Sequence, residues 1–219
     1  MFFATRAAVA ASAAVAASAL CTPLRPELGI SVTPHEQYSS SIGALGCKLD
    51  TNRVAYWPEP VDCDNICVKV THGDRSLHLL KVDQSTGAHD ISYDAWNTLV
   101  FGEGAESKPH TGGGVAMTYR TVPADECKHL FAGGKLSLSA ANSMNYVALC
   151  QSQPDSWVAK NLALVNILDP QCKYGHDEVC TLDMQTSNQA KCPHQLGAAD
   201  PLNSSVVNLQ YGTGKQVPS

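Results

Sequence analysis

Alternating apolar and polar positions dominate the middle of the chain and predict β-strands there. Ile66, Val68 and Val70 alternate with polar neighbours, and a second apolar run follows the break at His72-Gly73-Asp74. Two such runs separated by a short turn that contains glycine are typical of a β-hairpin. The apolar positions of Val115–Val122 also recur at every second residue, so this segment is predicted as a further strand.

Helical spacing appears after these strands. Ser92 is a plausible N-cap for a helix that ends at Gly102, because serine caps helix starts and glycine stops them. Apolar stripes predict two further helices, over residues 139–150 and 156–168, and Pro170 ends the second. The pattern therefore predicts a mainly β core followed by a helical C-terminal third, α+β overall.

The first twenty residues have the pattern of a secretory signal peptide. Arg6 precedes an uncharged, alanine-rich run over residues 7–20, and Ala17-Ser18-Ala19 is a small-x-small cleavage signal. The run is shorter than the roughly 20 apolar residues that a membrane-spanning helix needs. We therefore expect a signal peptide over residues 1–19 and a secreted, extracellular protein without a membrane anchor.

Composition and charge narrow the class of protein. Hydrophobic residues make up 44% of the 219 residues and charged residues 16%, with a net charge of -5. This composition is globular, and the length is sufficient to bury one sizeable core. Because no run of Lys or Arg occurs, the sequence argues against nucleic acid and against an anionic membrane as partners. A monomer is expected.

Nine cysteines agree with export. Cys21 lies at the expected cleavage boundary. If processing removes it, eight cysteines remain, and eight in an oxidising compartment predict four disulfides among 105 possible pairings. If Cys21 survives, it is an odd thiol that can pair with another chain. Zinc is the alternative, but the spacings are looser than those of zinc sites, so we expect no metal and no cofactor. The eight disulfide candidates are Cys47, Cys63, Cys67, Cys127, Cys150, Cys172, Cys180 and Cys192.

A resemblance to a known group of barrels rests on three short stretches. His89-Asp90-Ile91-Ser92 is similar to a His-Phe-Asp-Leu-Ser type segment shortened by one residue, and Cys63 with Cys67 resembles a Cys-Gly-x-Cys stretch. Val115–Val122 resembles a closing strand. These features, over residues 38–125, resemble the six-stranded double-psi β-barrel of expansins, barwin-like proteins, family 45 endoglucanases and rare-lipoprotein-A-like proteins, and suggest a secreted microbial, fungal-type member.

The resemblance implies a division of the chain. We expect an extended leader over residues 20–45, the barrel over residues 46–125, and a cysteine-stapled helical and loop extension packed on it over residues 126–219. Expansins carry a second β-sandwich domain with exposed aromatic residues. The C-terminal third here is predicted to be helical and has few aromatic residues, which departs from that pattern.

Asp90 is the candidate for chemistry within the matched segment. Glycan cleavage needs a carboxyl group that can act as general acid, and hydrolysis by inversion needs a second carboxylate. Expansins, by resemblance, lack the second group and loosen polysaccharides without hydrolysis, which suits a lone Asp. The alternative is that Asp90 only caps a helix or shapes a turn. The candidates for a second carboxylate, none within a matching motif, are Glu59, Asp62, Asp64 and Asp83.

A possible binding surface joins Asp90 to nearby residues. Tyr56 and Trp57 could stack on sugar rings or pack in the core, and His89 and Asp83 complete the predicted ligand-binding set. Asn203 begins an Asn-Ser-Ser sequon, so its segment is predicted to be exposed and glycosylated.

Three functions remain open from the sequence. The first is a secreted, non-hydrolytic barrel protein that binds cell-wall polysaccharide or a host surface target. The second is a secreted effector or inhibitor that acts by binding a host extracellular protein. The third is an enzyme of glycoside cleavage, or a lytic transglycosylase-like one, with Asp90 as general acid.

Overall fold

Six strands close into a mixed β-barrel in the computed structural model, which describes residues 26–219. The predicted signal peptide and Cys21 lie outside the described residues. The strands follow one another around the barrel in the order β1-β5-β2-β4-β3-β6. They are β1 (Leu28–His35), β2 (Val54–Trp57), β3 (Cys67–His72), β4 (Arg75–Gln84), β5 (His89–Ser92) and β6 (Val115–Val122).

The barrel has an internal symmetry that the sequence does not show. The pairs β1–β5 and β2–β4 are parallel, and the other four pairs are antiparallel. If β1 is exchanged with β4, β2 with β5 and β3 with β6, the pair β1–β5 becomes β4–β2 and the pair β1–β6 becomes β4–β3. Each pair therefore maps onto a pair of the same direction, and the barrel consists of two equivalent three-stranded halves.

Strand alternation fills the interior of the barrel. In a closed barrel, successive side chains of a strand point alternately inward and outward. One buried cluster contains a residue from each strand and is therefore the interior. Helix α1 (Tyr93–Phe101) follows β5, and its Trp96 and Leu99 join this cluster. The interior residues include Val32, Ala55, Val68, Leu79, Ile91 and Met117.

The predicted capping pattern of α1 is confirmed in position. Ser92 occupies the N-cap, although its side chain forms no capping hydrogen bond. Gly102 ends the helix with φ at 85°, a left-handed conformation that glycine adopts without steric cost. The hairpin formed by β3 and β4 and the strand over Val115–Val122 are also where the alternation predicts them.

The C-terminal third covers part of the barrel's outer face. Val54, Leu80 and Val82 point away from the interior and belong to a second buried cluster with residues of the extension. The extension contributes Leu136, Leu138, Val147 and Val158 to that cluster. Because burying one such side chain contributes about 1.5–3 kcal/mol, the extension and the barrel stabilise each other.

The extension contains more β-structure than the sequence predicts. A three-stranded sheet joins β7 (Leu136–Ser139), β8 (Leu162–Ile167) and β9 (Gly175–Cys180), and two short helices lie between β7 and β8. These are α2 (Met144–Gln151) and α3 (Trp157–Asn161), and the chain ends with a hairpin of β10 (Val207–Leu209) and β11 (Gln216–Pro218).

The two predicted C-terminal helices are therefore too long. The helix predicted over residues 156–168 stops at Asn161, because Leu162–Ile167 instead pairs with strands on both sides and is buried between them. The helix predicted over residues 139–150 begins at Met144. The Ser139 hydroxyl is committed to a strand contact, since it donates a hydrogen bond to the Ile167 carbonyl oxygen.

The segment predicted as an extended leader contains the first barrel strand. Leu28–His35 pairs with β5 on one side and β6 on the other, so residues 46–125 do not form the barrel alone. Pro34, which discourages a strand interpretation, lies near the strand's end. There a missing N–H removes little of the ladder.

Eight cysteines form four disulfides, as predicted. The pairs are Cys47–Cys172, Cys63–Cys150, Cys67–Cys127 and Cys180–Cys192. The first three connect the barrel half of the chain to the extension. Four disulfides are typical of a protein that folds in an oxidising compartment. Within residues 26–219, no helix has both the length and the apolar character needed to cross a bilayer.

Removal of the disulfides should destabilise the protein in order of the loop each one closes. The Cys67–Cys127 disulfide spans 60 residues and Cys180–Cys192 spans 12. The loop-entropy model gives losses of about 4 and about 3 kcal/mol for the corresponding Cys→Ala pairs. Urea denaturation of both double variants checks this order. A greater loss for Cys180→Ala/Cys192→Ala would contradict it.

An ion pair fixes the first turn of α1. The Arg53 guanidinium donates to Asp94 Oδ2 at 2.7 Å, and the Ala105 amide donates to Asp94 Oδ1 at 2.7 Å. Asp94 is only 8% exposed, so both of its oxygens are satisfied in a largely buried setting. This carboxylate joins α1, the segment before β2 and the loop after α1.

Replacing Asp94 by Asn should lower the free energy of unfolding by about 1.5–3 kcal/mol, because a charged hydrogen bond is lost and Arg53 loses its partner. Denaturant unfolding measures the change. Asp155→Asn is the control: the Asp155 carboxylate, paired with Lys160, is fully exposed, so the loss of its charge should leave the free energy of unfolding nearly unchanged. Equal effects of the two substitutions would show that burial of the Arg53–Asp94 pair does not matter.

Candidate functional site

Four polar and aromatic residues lie in one row across four adjacent strands. The register pairs Thr33 with Asp90, Asp90 with Tyr56, and Tyr56 with Asp83. Residues in register on neighbouring strands have side chains on the same face of the sheet. Three of the sequence-predicted site residues are thereby brought together, and Thr33 joins them.

Asp90 lies within a strand and is not a helix cap. Its Oδ1 accepts a hydrogen bond from the Thr33 hydroxyl on the neighbouring strand. Its Oδ2 accepts none from residues 26–219. Asp90 is half-buried on β5, two residues before the N-cap position at Ser92. The interpretation of Asp90 as a capping residue is therefore wrong.

His89 faces the opposite side of β5 from Asp90. Its ring lies 5.1 Å from that of Trp57 and 5.9 Å from that of Tyr119, at one end of the barrel interior. Burial lowers the pKa of His89, and the charges of Glu59 and Asp90 oppose this effect only in part. No hydrogen bond joins His89 to Asp90, because adjacent residues of a strand point to opposite faces.

Tyr56 and Trp57 belong to the core, so neither ring is available to stack on a sugar. Their exposed fractions are 4% and 1%. The Tyr56 ring packs 4.2 Å from that of His35, and burial raises the pKa of Tyr56. The prediction that these two residues bind a ligand is overturned by their environment. The two rings lie on opposite sides of the barrel wall and are buried on both: Trp57 belongs to the interior cluster and Tyr56 to the second buried cluster outside the barrel.

Asp83 holds the loop that follows β1. Its carboxylate accepts hydrogen bonds from the Ser39 hydroxyl at 2.6 Å, the Ser41 amide at 3.0 Å and the Gln84 amide at 2.8 Å. These contacts give Asp83 a positioning function: it fixes the chain between β1 and β2 against the end of β4.

The other candidate carboxylates are also committed or remote. Asp62 accepts hydrogen bonds from the Asp64 and Asn65 amides; its burial acts to raise its pKa, but these hydrogen bonds outweigh it and lower the pKa. Asp64 accepts from the Trp157 amide at 2.7 Å. Glu59 is exposed just after β2 and lies near His89. None of the three shares the Thr33–Asp90 contact.

An open cavity of about 430 Å³ lies beside the Thr33–Asp90 pair. Thr33 is part of its wall, so the hydroxyl that donates to Asp90 stands at its edge. The remaining wall comes from the end of β1, the glycine loop before β6 and the turn after β10. We call this cavity the cleft, and its lining residues are Thr33, Pro34, Glu36, Gly112, Gly113 and Tyr211.

The aromatic wall of the cleft is held in place by its own hydrogen bonds. The Tyr211 hydroxyl accepts from the Gly112 amide at 2.6 Å and donates to the Gly112 carbonyl at 2.5 Å. A Cβ at Gly112 would lie 2.6 Å from the Trp96 ring, so only glycine lets the loop approach α1 this closely. Tyr211 is thus a pre-oriented ring at the cleft.

Sequence reasoning missed Thr33, Glu36 and Tyr211. Thr33 could have been found by continuing the alternation of β1 through its proline. Tyr211 carries no such signal, because its partner Gly112 lies 99 residues away in the chain. Glu36 is an exposed carboxylate in a loop, a position without periodicity.

Two further sequence predictions can be placed. Asn203 is exposed, as predicted for its sequon. In the part of the chain that the structure describes, no group of three or more His, Cys, Asp or Glu side chains is arranged to hold a metal ion. The chemical groups that the cleft offers are therefore a carboxylate, hydroxyls, backbone amides and one aromatic ring.

No protein-family model matches the sequence, and no curated protein matches it either.

Proposed function

We propose that the chain is a secreted double-psi β-barrel protein that binds polysaccharide in the cleft and does not hydrolyse it. The closed order of six strands, with its two parallel pairs and its equivalent halves, supports the double-psi topology. The four disulfides support export to an oxidising environment. The carbohydrate ligand is argued from the cleft itself.

The observation that carries the proposal is the contact between Thr33 and Asp90 at the edge of an open cavity with a fixed tyrosine. A pyranose ring presents hydroxyl groups at its rim and C–H groups on its faces. Asp90 does not line the cleft but is bonded to Thr33, which does, and its Oδ2 can accept a hydrogen bond from a sugar hydroxyl that reaches past Thr33. The Tyr211 ring offers an apolar surface to a C–H face. The cleft and its Thr33 edge thus combine both kinds of contact.

Preorganisation makes such a cleft effective. Binding costs less when the side chains that contact the ligand are already ordered. Asp90 is held by Thr33, and Tyr211 is held by the Gly112 backbone and by the Tyr93 ring 5.0 Å away. The open shape of the cleft suits one part of a long polymer better than a fully enclosed small molecule.

The surroundings of Asp90 favour binding over cleavage. Inverting hydrolysis needs a second carboxylate placed opposite the general acid. Asp83 and Asp64 are held by hydrogen bonds elsewhere. The neighbouring His89 ring packs on Trp57 at the end of the barrel interior. This arrangement supports a carboxylate that holds a sugar hydroxyl.

Glu36 supports a second candidate function, glycan cleavage. This exposed carboxylate lines the same cleft as Thr33, and the Thr33 hydroxyl donates to Asp90, so one carboxyl group lines the cleft and a second is bonded to its wall. Glycoside hydrolases use such a pair, at about 5–5.5 Å for retention and about 6.5–9.5 Å for inversion. Under this alternative Asp90 is the general acid and Glu36 is the second group.

Binding to insoluble cellulose, chitin and cell-wall glucan tests the proposal. The mature, oxidised protein should sediment with at least one polymer. Tyr211→Ala should weaken that binding about three- to tenfold through the lost ring contact. Asp90→Asn should weaken it by about tenfold or more through the lost charged hydrogen bond. Tyr174→Ala and Asp74→Asn, at exposed sites elsewhere, should bind like the unaltered protein.

Two controls make the result specific. Tyr211→Phe keeps the ring and loses the Gly112 contacts, so it should bind better than Tyr211→Ala. Near-ultraviolet circular dichroism of each variant shows whether the core is intact. Binding to no polymer, or equal binding by Tyr211→Ala and Tyr174→Ala, would contradict the proposed function. Release of soluble sugar that is lost in both Asp90→Asn and Glu36→Gln would establish cleavage instead.

A further inference from the structure

A row of basic side chains crosses the outer face of the barrel, and the first residues of the extension reach one end of it, where Glu126 and His129 lie against His78. Lys69 on β3 is the register partner of His78 on β4 and of Arg120 on β6. Their neighbours Val68 and Leu79 line the interior, so the three side chains point outward. We call these three residues the basic row. Two residues along, the same strands carry Ser76, Thr71 and Thr118 in register.

The charges of the basic row are largely uncompensated. Among residues 26–219, neither Lys69 nor Arg120 forms an ion pair or a side-chain hydrogen bond. His78 Nε2 lies 2.9 Å from Glu126 Oε2, but the two do not form an aligned hydrogen bond. Burial lowers the pKa of His78 and Glu126 opposes this, while Lys69, His129 and Arg120 lower the pKa further. The two permanent cations, Lys69 and Arg120, therefore both lie close to His78.

Such a row is unusual on a chain with a net charge of -5. Holding like charges together on a sheet costs free energy, which a bound anion would relieve. Neighbouring strands lie about 4.8 Å apart, so the cations repeat at about that interval. One sugar residue of an extended chain has a comparable length. Two permanent cations are too few for nucleic acid, whose binding depends on many phosphate contacts.

The basic row is also connected to the cleft by a polar surface. Thr118 is the register partner of Gly29, and Ala116 is that of Ser31. Ser31 lies two residues before Thr33 on the same outward face of β1. Small and polar side chains thus lie between the basic row and the cleft, and the Glu27 carboxylate accepts a hydrogen bond from Thr118 among them.

We propose that the basic row binds the carboxylate groups of an acidic, uronate-bearing polysaccharide. This inference rests on the proposed function for the class of ligand, and it adds a second contact surface and the charge of the polymer. Lys69 and Arg120 supply the permanent charges and are the contacts on which the inference rests, because His78 Nε2 is buried against Glu126.

Retention on immobilised polygalacturonate tests the inference with the full mature protein. Lys69→Gln/Arg120→Gln should bind about three- to tenfold more weakly than the unaltered protein, as expected for two partly exposed charge contacts. The matched control, Lys160→Gln/Lys191→Gln, removes the same net charge at exposed sites elsewhere and should change binding less than about twofold. Raising the salt concentration should weaken binding of the unaltered protein and of the control.

The outcomes separate the two proposals. Loss of cellulose or chitin binding in Tyr211→Ala concerns the cleft alone, whereas the basic-row variant should keep its binding to those neutral polymers. The inference is overturned by equal retention of the basic-row variant and the matched control, or by no retention of the unaltered protein on polygalacturonate. Tighter, row-dependent binding to double-stranded DNA or to phosphatidylserine vesicles would also overturn it, since the surface would then serve another polyanion.

Discussion

Closure of the six strands into a barrel is the constraint on which the rest of the structure depends. Every second side chain of each strand must point inward to fill the interior, so the side chains between those positions must point outward. Ile91 and His89 therefore face inward, and Asp90 between them faces outward. The separation of His89 from Asp90, two neighbours in the sequence, follows directly from that requirement.

The outer face of the barrel then divides into a region that the extension covers and a region that stays accessible. Where it carries apolar residues such as Val54 and Val82, it has to be covered, and the extension covers it and is tied on by disulfides. Where it carries polar residues such as Thr33, Lys69 and Arg120, no apolar area needs burial, and the extension reaches only the His78 end of the basic row. The same division that stabilises the fold thus leaves the face that is available for a ligand.

Alternation made the hairpin, β6 and the start and end of α1 predictable, because these elements depend on neighbours in the sequence. β8 was not predictable in this way: Leu162–Ile167 has helical spacing, but pairing with β7 and β9 decides its structure. Asp90 was found from a short motif. Its real partner Thr33 lies 57 residues away, and the burial of Tyr56 and Trp57 depends on packing from distant segments.

The internal symmetry relates the candidate site to a structural contact. The exchange of halves that turns β1–β5 into β4–β2 places the pair Thr33–Asp90 on the pair Asp83–Tyr56. In one half the polar pair borders an open cleft. In the other, the carboxylate holds the loop after β1, and the tyrosine is buried against the end of β1 and that loop. The two equivalent positions therefore differ in function, because the loop after β1 packs on one of them and the other borders the cleft.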